Sequence, residues 1–174
     1  MFKFTPKLNK ETKLMIDNEE KMFELANCYG SPCNILFPSV MNQNIKKFET
    51  IFKKYNLAGK IFFAHKCNKS NSFLKQALNN NINVDVASLE ELKSALSNGF
   101  IGEKIEATGP KNDDFIILGI RHNIIFNVDN IQEIERINYF KEKIKNKKKI
   151  KILLRLNNFK SDETKIINKS SRFG

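Results

Sequence analysis

The stretch VDVASLEELKSALSNGF, Val84 to Phe100, reads as one complete strand-helix unit and sets the frame for the rest of the chain. Val84 to Ala87 is a short apolar run of strand length. Ser88 follows it as a helix cap, with Glu91 three residues later in the position that reaches back in a capping box. Leu89, Leu92 and Leu96 then fall on one helical face, and Gly99 suits the left-handed position just past the helix end.

The same alternation recurs on both sides. Apolar runs stand at Asn34–Phe37, Ile61–Ala64, Val84–Ala87, Ile105–Thr108, Ile124–Val128 and Ile150–Leu156. Each begins roughly 20 to 27 residues after the last, the length of a strand, a helix and two short loops. Such a rhythm predicts a parallel sheet in an α/β protein. Between the runs, Met41, Ile45, Phe48 and Phe52 repeat at helical spacing after Pro38 and Ser39. Ile131, Ile134 and Ile137 form the inward stripe of a later helix whose lysines gather at its C-terminal end, where the helix dipole favours positive charge. NEEKMFELANCYG, before the first run, reads as an additional helix ending at Gly30.

No GxGxxG or GxxxxGK[ST] follows any of the runs, which argues against a dinucleotide fold or a P-loop. A (β/α)8 barrel of the TIM type normally takes about 250 residues. At 174 residues with six runs, the expected architecture is an incomplete barrel with about six of the eight βα units. Residues 1–17 read as an N-terminal arm and 18–174 as the partial barrel domain. A last strand without a neighbour would leave an apolar edge open to aggregation.

The formal net charge of +11 is spread along the chain in a Lys-, Asn- and Ile-rich background, without a stripe of basic residues interleaved with aromatics, so a nucleic-acid-binding module is the weaker reading. The N-terminus lacks the apolar run of a signal peptide, and no window nears the ~20 apolar residues of a membrane span, which predicts a cytoplasmic protein. Cys28, Cys33 and Cys67, with His65 and His122 as the only histidines, support neither a disulfide framework nor a metal site.

KIFFAHKCNKS, residues 60–70, brings a lysine directly after an apolar run, and strand ends are where α/β proteins bind ligands. If strand alternation continues through it, Lys66 shares a face with Ala64 and Phe62, while His65 points toward the helices. Asp85 likewise shares a face with Ala87. A lysine, a carboxylate and small alanines at one rim would suit carbonyl chemistry, with the acid orienting the amine.

Several stretches taken together carry a resemblance: YGSPCNILFP (29–38), FFAHKCNKS (62–70), VDVASLEEL (84–92), GFIGEKIEATGPKN (99–112), IIFNVDNIQEIERI (124–137), KILLRLN (151–157) and SRFG (171–174). In this order and spacing they resemble the fold-type III pyridoxal-phosphate decarboxylases that act on ornithine, arginine and diaminopimelate. The resemblance implies a cofactor-holding barrel of the alanine-racemase type, followed in the family by a β-rich domain that is absent here, and a homodimer in the full-length form. By resemblance Lys66 forms the Schiff base with pyridoxal 5′-phosphate, Asp85 is the carboxylate near it, and Arg155 is a basic residue at a later strand end. Thr108 to Lys111 resembles a loop at the active-site mouth, and an amino acid is the implied substrate. The family's remaining cofactor contacts lie downstream of Gly174, so the 174 residues alone are expected to be inactive. A racemase-like enzyme or a non-catalytic barrel is the alternative within the same fold.

Overall fold

The computed structural model describes residues 8–156 and divides them into two compact units that part between residues 59 and 60. The first unit is helical. Asn9 caps α1 (Lys10–Ile16) by accepting a hydrogen bond from the Thr12 amide at 2.7 Å, and Asn18 caps α2 (Glu19–Tyr29) through the Lys21 amide at 2.9 Å. As the sequence predicts, α2 ends at Gly30, whose φ of 84° suits a residue without a Cβ. The third helix, α3 (Pro38–Lys54), buries Ile45, but Phe48 of the expected apolar stripe is 55% exposed.

The run Asn34–Phe37 is not a strand. Phe37 serves as the N-cap of α3, Pro38 takes an N-terminal helical position that needs no amide hydrogen, and Leu36 remains exposed. The helix start consumes the run before a ladder can form on it, so the described residues hold five strands instead of six.

The second unit contains all of them: β1 (Phe62–Ala64), β2 (Asn83–Val86), β3 (Ile105–Ala107), β4 (Ile125–Val128) and β5 (Lys151–Leu154). They form one parallel sheet in the order β1-β2-β3-β4-β5, joined by α4 (Asn71–Asn79), α5 (Leu89–Ser97), α6 (Asp113–His122) and α7 (Ile131–Lys143). A strand order that never reverses is the progression of a (β/α) barrel wall, whereas a doubly wound sheet turns back at a switch point. Five consecutive barrel strands make the expected incomplete barrel one strand shorter than the sequence suggests.

Register and burial separate the two faces of this sheet. Val84, Val86, Ile105, Ala107, Phe126 and Val128 are almost wholly buried on one face. With Leu74, Leu92, Phe115 and Ile120 of the helices also buried, this is the core, each large side chain contributing about 1.5–3 kcal/mol. Helix α7 presents Ile137 to it, but Ile131 is 70% exposed and Glu133 is buried in its place. Ile131 opens the helix directly after the Asn130 cap, too early in the turn to reach the sheet. In α5 the Ser88 hydroxyl accepts the Glu91 amide at 3.2 Å as expected, while the Glu91 carboxylate receives the amide of Ala87, one residue before the cap, at 2.9 Å.

Candidate active site at the carboxyl ends of the strands

The opposite face carries the polar residues. Ala64 is the register partner of Asp85, Asp85 of Glu106, and Glu106 of Ile125, which puts Ala64, Asp85, Glu106 and, two residues past Ile125, Asn127 on one side. All of these lie toward the carboxyl ends of their strands. The Asn127 amide donates to Glu106 Oε1 at 2.8 Å, linking two members of the row.

Just past β1 the chain tightens into a 3-10 turn, His65–Cys67, closed by the Asn68 amide on the His65 carbonyl at 3.1 Å. This turn lifts Lys66 above the polar row. Its Nζ stands 3.9 Å from Asp85 Oδ2, with the lysine side chain 59% exposed and the aspartate 14% exposed. His65 goes the other way, as alternation predicts. It is buried, its ring centroid 6.2 Å from that of Phe63, and Nδ1 has no hydrogen-bond partner among the described residues. Burial pushes its pKa below the ordinary 6.5, opposed by the Glu91 carboxylate and assisted by Lys69.

Asp85 is held from its other side. The Thr108 hydroxyl donates to Oδ1 at 2.6 Å, and Thr108 is itself anchored by its amide, which continues the ladder to the Val86 carbonyl at 2.9 Å. Beyond Thr108 comes Gly109 at φ 70°, where an added Cβ would sit 3.7 Å from the Ala87 carbonyl oxygen. Lys111 closes the loop: its fully buried side chain donates to the carbonyls of Gly109 (2.8 Å) and Asn127 (2.7 Å) and to both Glu133 oxygens (3.2 Å each). Arg136 reinforces the same loop through the Lys111 carbonyl at 3.0 Å and an ion pair with Asp113. Burial lowers the Lys111 pKa from its ordinary 10.5, against the pull of Glu133.

Of the three residues singled out in the sequence, Lys66 and Asp85 therefore meet. Arg155 stands past the end of β5, its amide bonded to the Val128 carbonyl at 2.9 Å, and alternation from the Asn127–Leu153 pair puts it on the polar face. Three strand spacings separate it from Asp85, about 14 Å across the sheet. Its charge is felt by Lys111, whose protonation it disfavours. The Thr108, Lys111 and Glu133 contacts were not legible beforehand, since TGPK scans locally as a turn and Glu133 as one more charge on a solvated helix. Among the described residues, no group of three or more His, Cys, Asp and Glu side chains is placed to hold a metal ion, and no helix is long and apolar enough to cross a membrane. The SRFG stretch lies outside the described residues.

Comparison with known proteins agrees with this fold. The chain is 32% identical over 115 residues to an uncharacterised protein of Sinorhizobium fredii, covering 66% of this chain and 25% of that protein. It is 27% identical over 132 residues to the diaminopimelate decarboxylase of Bacillus subtilis, covering 75% of this chain and 30% of the enzyme. The crystal structure of diaminopimelate decarboxylase from M. jannaschii superimposes with a TM-score of 0.69 at 27% identity, over 77% of this chain and 32% of that one. The chain thus spans between a quarter and a third of the length of these relatives. The family model described as pyridoxal-dependent decarboxylase, pyridoxal binding domain, matches residues 40–174, and the chain belongs to that family.

Proposed function

We propose that the chain is the N-terminal, cofactor-holding part of a pyridoxal-phosphate-dependent amino-acid decarboxylase of the diaminopimelate, ornithine and arginine group, with Lys66 as the amine that takes the cofactor aldehyde. The observation that carries this reading is the 3.9 Å approach of Lys66 Nζ to Asp85 Oδ2 at the carboxyl ends of parallel barrel strands. The residues around it fit a flat ring carrying an aldehyde. The amine is accessible, Ala64 shares its face with Asp85, and Gly109 lies against Ala87 with no side chain of its own.

When bound, pyridoxal phosphate supplies the electron sink for the pair left behind as a carboxylate departs as CO2. Everything else falls to the protein. Lys66 would hold the cofactor at its aldehyde; Asp85 Oδ2 would stand as counter-charge and proton partner of the lysine nitrogen; the Thr108 hydroxyl on Oδ1 would keep the carboxylate turned toward it. Arg155 offers a positive charge on the same face, suited to an anionic group of cofactor or substrate. A homodimer of the full-length enzyme, an amino-acid substrate and a cytoplasmic location complete the proposal. One structure of the M. jannaschii diaminopimelate decarboxylase is a co-complex with L-lysine, the compound left when diaminopimelate loses CO2, which favours a diamino acid as substrate.

The test is to incubate the chain with pyridoxal 5′-phosphate, reduce with borohydride and map the modified peptide. The pyridoxyl group is expected on Lys66 and to vanish in Lys66→Ala; modification scattered over surface lysines would refute the assignment. CO2 release from diaminopimelate, ornithine or arginine by the full-length protein distinguishes a decarboxylase from a racemase, which would only invert the α-carbon.

A further inference from the structure

Asp85 has two carboxylate oxygens, and the structure gives them different partners. Oδ1 accepts the Thr108 hydroxyl at 2.6 Å, and Oδ2 faces Lys66 Nζ at 3.9 Å. The threonine bond is short and shielded, since Thr108 is only 8% exposed, whereas the lysine contact is long and open to water. A hydrogen bond to a charged acceptor is among the stronger ones, and it spreads part of the carboxylate's charge onto the donor. Thr108 therefore both fixes the rotation of the Asp85 carboxylate and keeps Oδ1 from competing for the lysine.

Thr108 is in turn held from below and above. Its amide bonds the Val86 carbonyl on β2, the strand that carries Asp85, and the next residue's carbonyl is gripped by the buried Lys111 ammonium, itself fixed to Asn127 and Glu133. A hydroxyl so anchored on both sides is preorganised, and its position does not depend on a bound ligand.

We propose that Thr108 is a positioning residue that sets the reactivity of Lys66 by occupying Asp85 Oδ1, so that the carboxylate meets the lysine through Oδ2 alone and loosely. This deepens the assignment of Lys66 as the cofactor amine and rests on it for its meaning, but not for its test. Without the hydroxyl, the largely buried carboxylate is left with Lys66 as its partner among the described residues, closes the 3.9 Å gap and ties the amine into an ion pair, away from an incoming reagent.

The experiment labels the chain with trace acetic anhydride, a small neutral reagent, and follows each lysine by peptide mass spectrometry. In Thr108→Val, acetylation of Lys66 at neutral pH is expected to slow about tenfold, the size of one charge-assisted hydrogen bond, while other lysines react as before and the melting curve stays near wild type. Thr108→Ser restores the rate. In an Asp85→Asn background, Thr108→Val has no effect on Lys66, because there is no carboxylate left to direct. An unchanged or faster Lys66 rate in Thr108→Val, or the same slowing in the Asp85→Asn background, overturns the proposal. If the valine variant fails to fold, Thr108→Ala serves in its place. Parallel labelling with pyridoxal 5′-phosphate keeps the two ideas apart: absence of a Lys66-selective pyridoxal adduct in wild type would overturn the cofactor assignment, while the acetylation rates still decide the role of Thr108.

Discussion

Lys66 and Asp85 meet because Ala64 and Asp85 are register partners across the β1–β2 ladder, and a 3-10 turn then carries Lys66 over the end of the neighbouring strand to within 3.9 Å of the carboxylate. Slipping that ladder by one residue would send the aspartate to the helix-covered face and leave the lysine without an acid.

The pair is open to water on the lysine side, so its contribution to stability is small, within the ~0–1 kcal/mol of exposed ion pairs. Asp85→Asn is expected to leave the melting temperature almost unchanged while the fraction of chain trapped with pyridoxal at Lys66 falls by about tenfold, as the counter-charge at Oδ2 is lost. Calorimetry and borohydride trapping on the same sample check both halves. A large loss of stability with intact trapping would show that Asp85 serves the fold instead.

Lys111 and Glu133 present the opposite case. Both side chains are buried, and the lysine ties the β3–α6 loop to β4 and the start of α7. Removing one partner strands a buried charge, so Lys111→Met should destabilise the second unit by roughly 3–5 kcal/mol, and the double variant Lys111→Met/Glu133→Leu by clearly less. Urea denaturation of the two variants measures the difference. Equal losses would mean that the lysine's carbonyl contacts, and not the ion pair, hold the loop.

His65 should make stability sensitive to mild acid. Its folded pKa is depressed by burial, so between the ordinary 6.5 and that lower value the unfolded chain binds the proton and the folded chain does not. Stability is then full above 6.5 and falls as the pH drops through this window. His65→Phe, which keeps a ring against Phe63, should flatten the slope of unfolding free energy against pH below 6.5. A slope unchanged by the substitution would assign the acid sensitivity to other groups.

At Gly119, α6 passes close to Phe126 of β4 and to Ile124 just before it. A Cβ there would lie 2.6 Å from Phe126 Cζ and 2.8 Å from Ile124 Cδ1. The ~1 kcal/mol that alanine gains over glycine in a helix is opposed by overpacking of about 1–3 kcal/mol. Gly119→Ala is expected to lower stability on balance, and Phe126→Leu in the same chain to relieve part of the loss. A more stable single variant would show that the Phe126 ring can move aside.

Much of this architecture is written in local chemistry. Ser88, Glu91 and Gly99 mark one helix at both ends, and the spacing of the apolar runs predicts the parallel pairing seen from β1 to β5. Alternation names the right sides for Lys66 and His65, although the strand ends at Ala64 and it is a 3-10 turn that places both. Where the local signal failed, another residue had the stronger claim: Phe37 and Pro38 start a helix out of what reads as a strand, and Ile131 opens α7 a turn too early to be inward.

By itself, then, the sequence determined most of the strand rhythm and the helix ends, because caps and periods act over a handful of neighbours, while Lys66 and Asp85 stood out through the resemblance of several stretches to one family. Tertiary structure alone decided that Thr108 bonds Asp85 across a strand ladder and that Lys111 pairs with Glu133 of α7, since each contact joins residues 22 or 23 positions apart that only the register of adjacent strands and the packing of a crossover helix bring together.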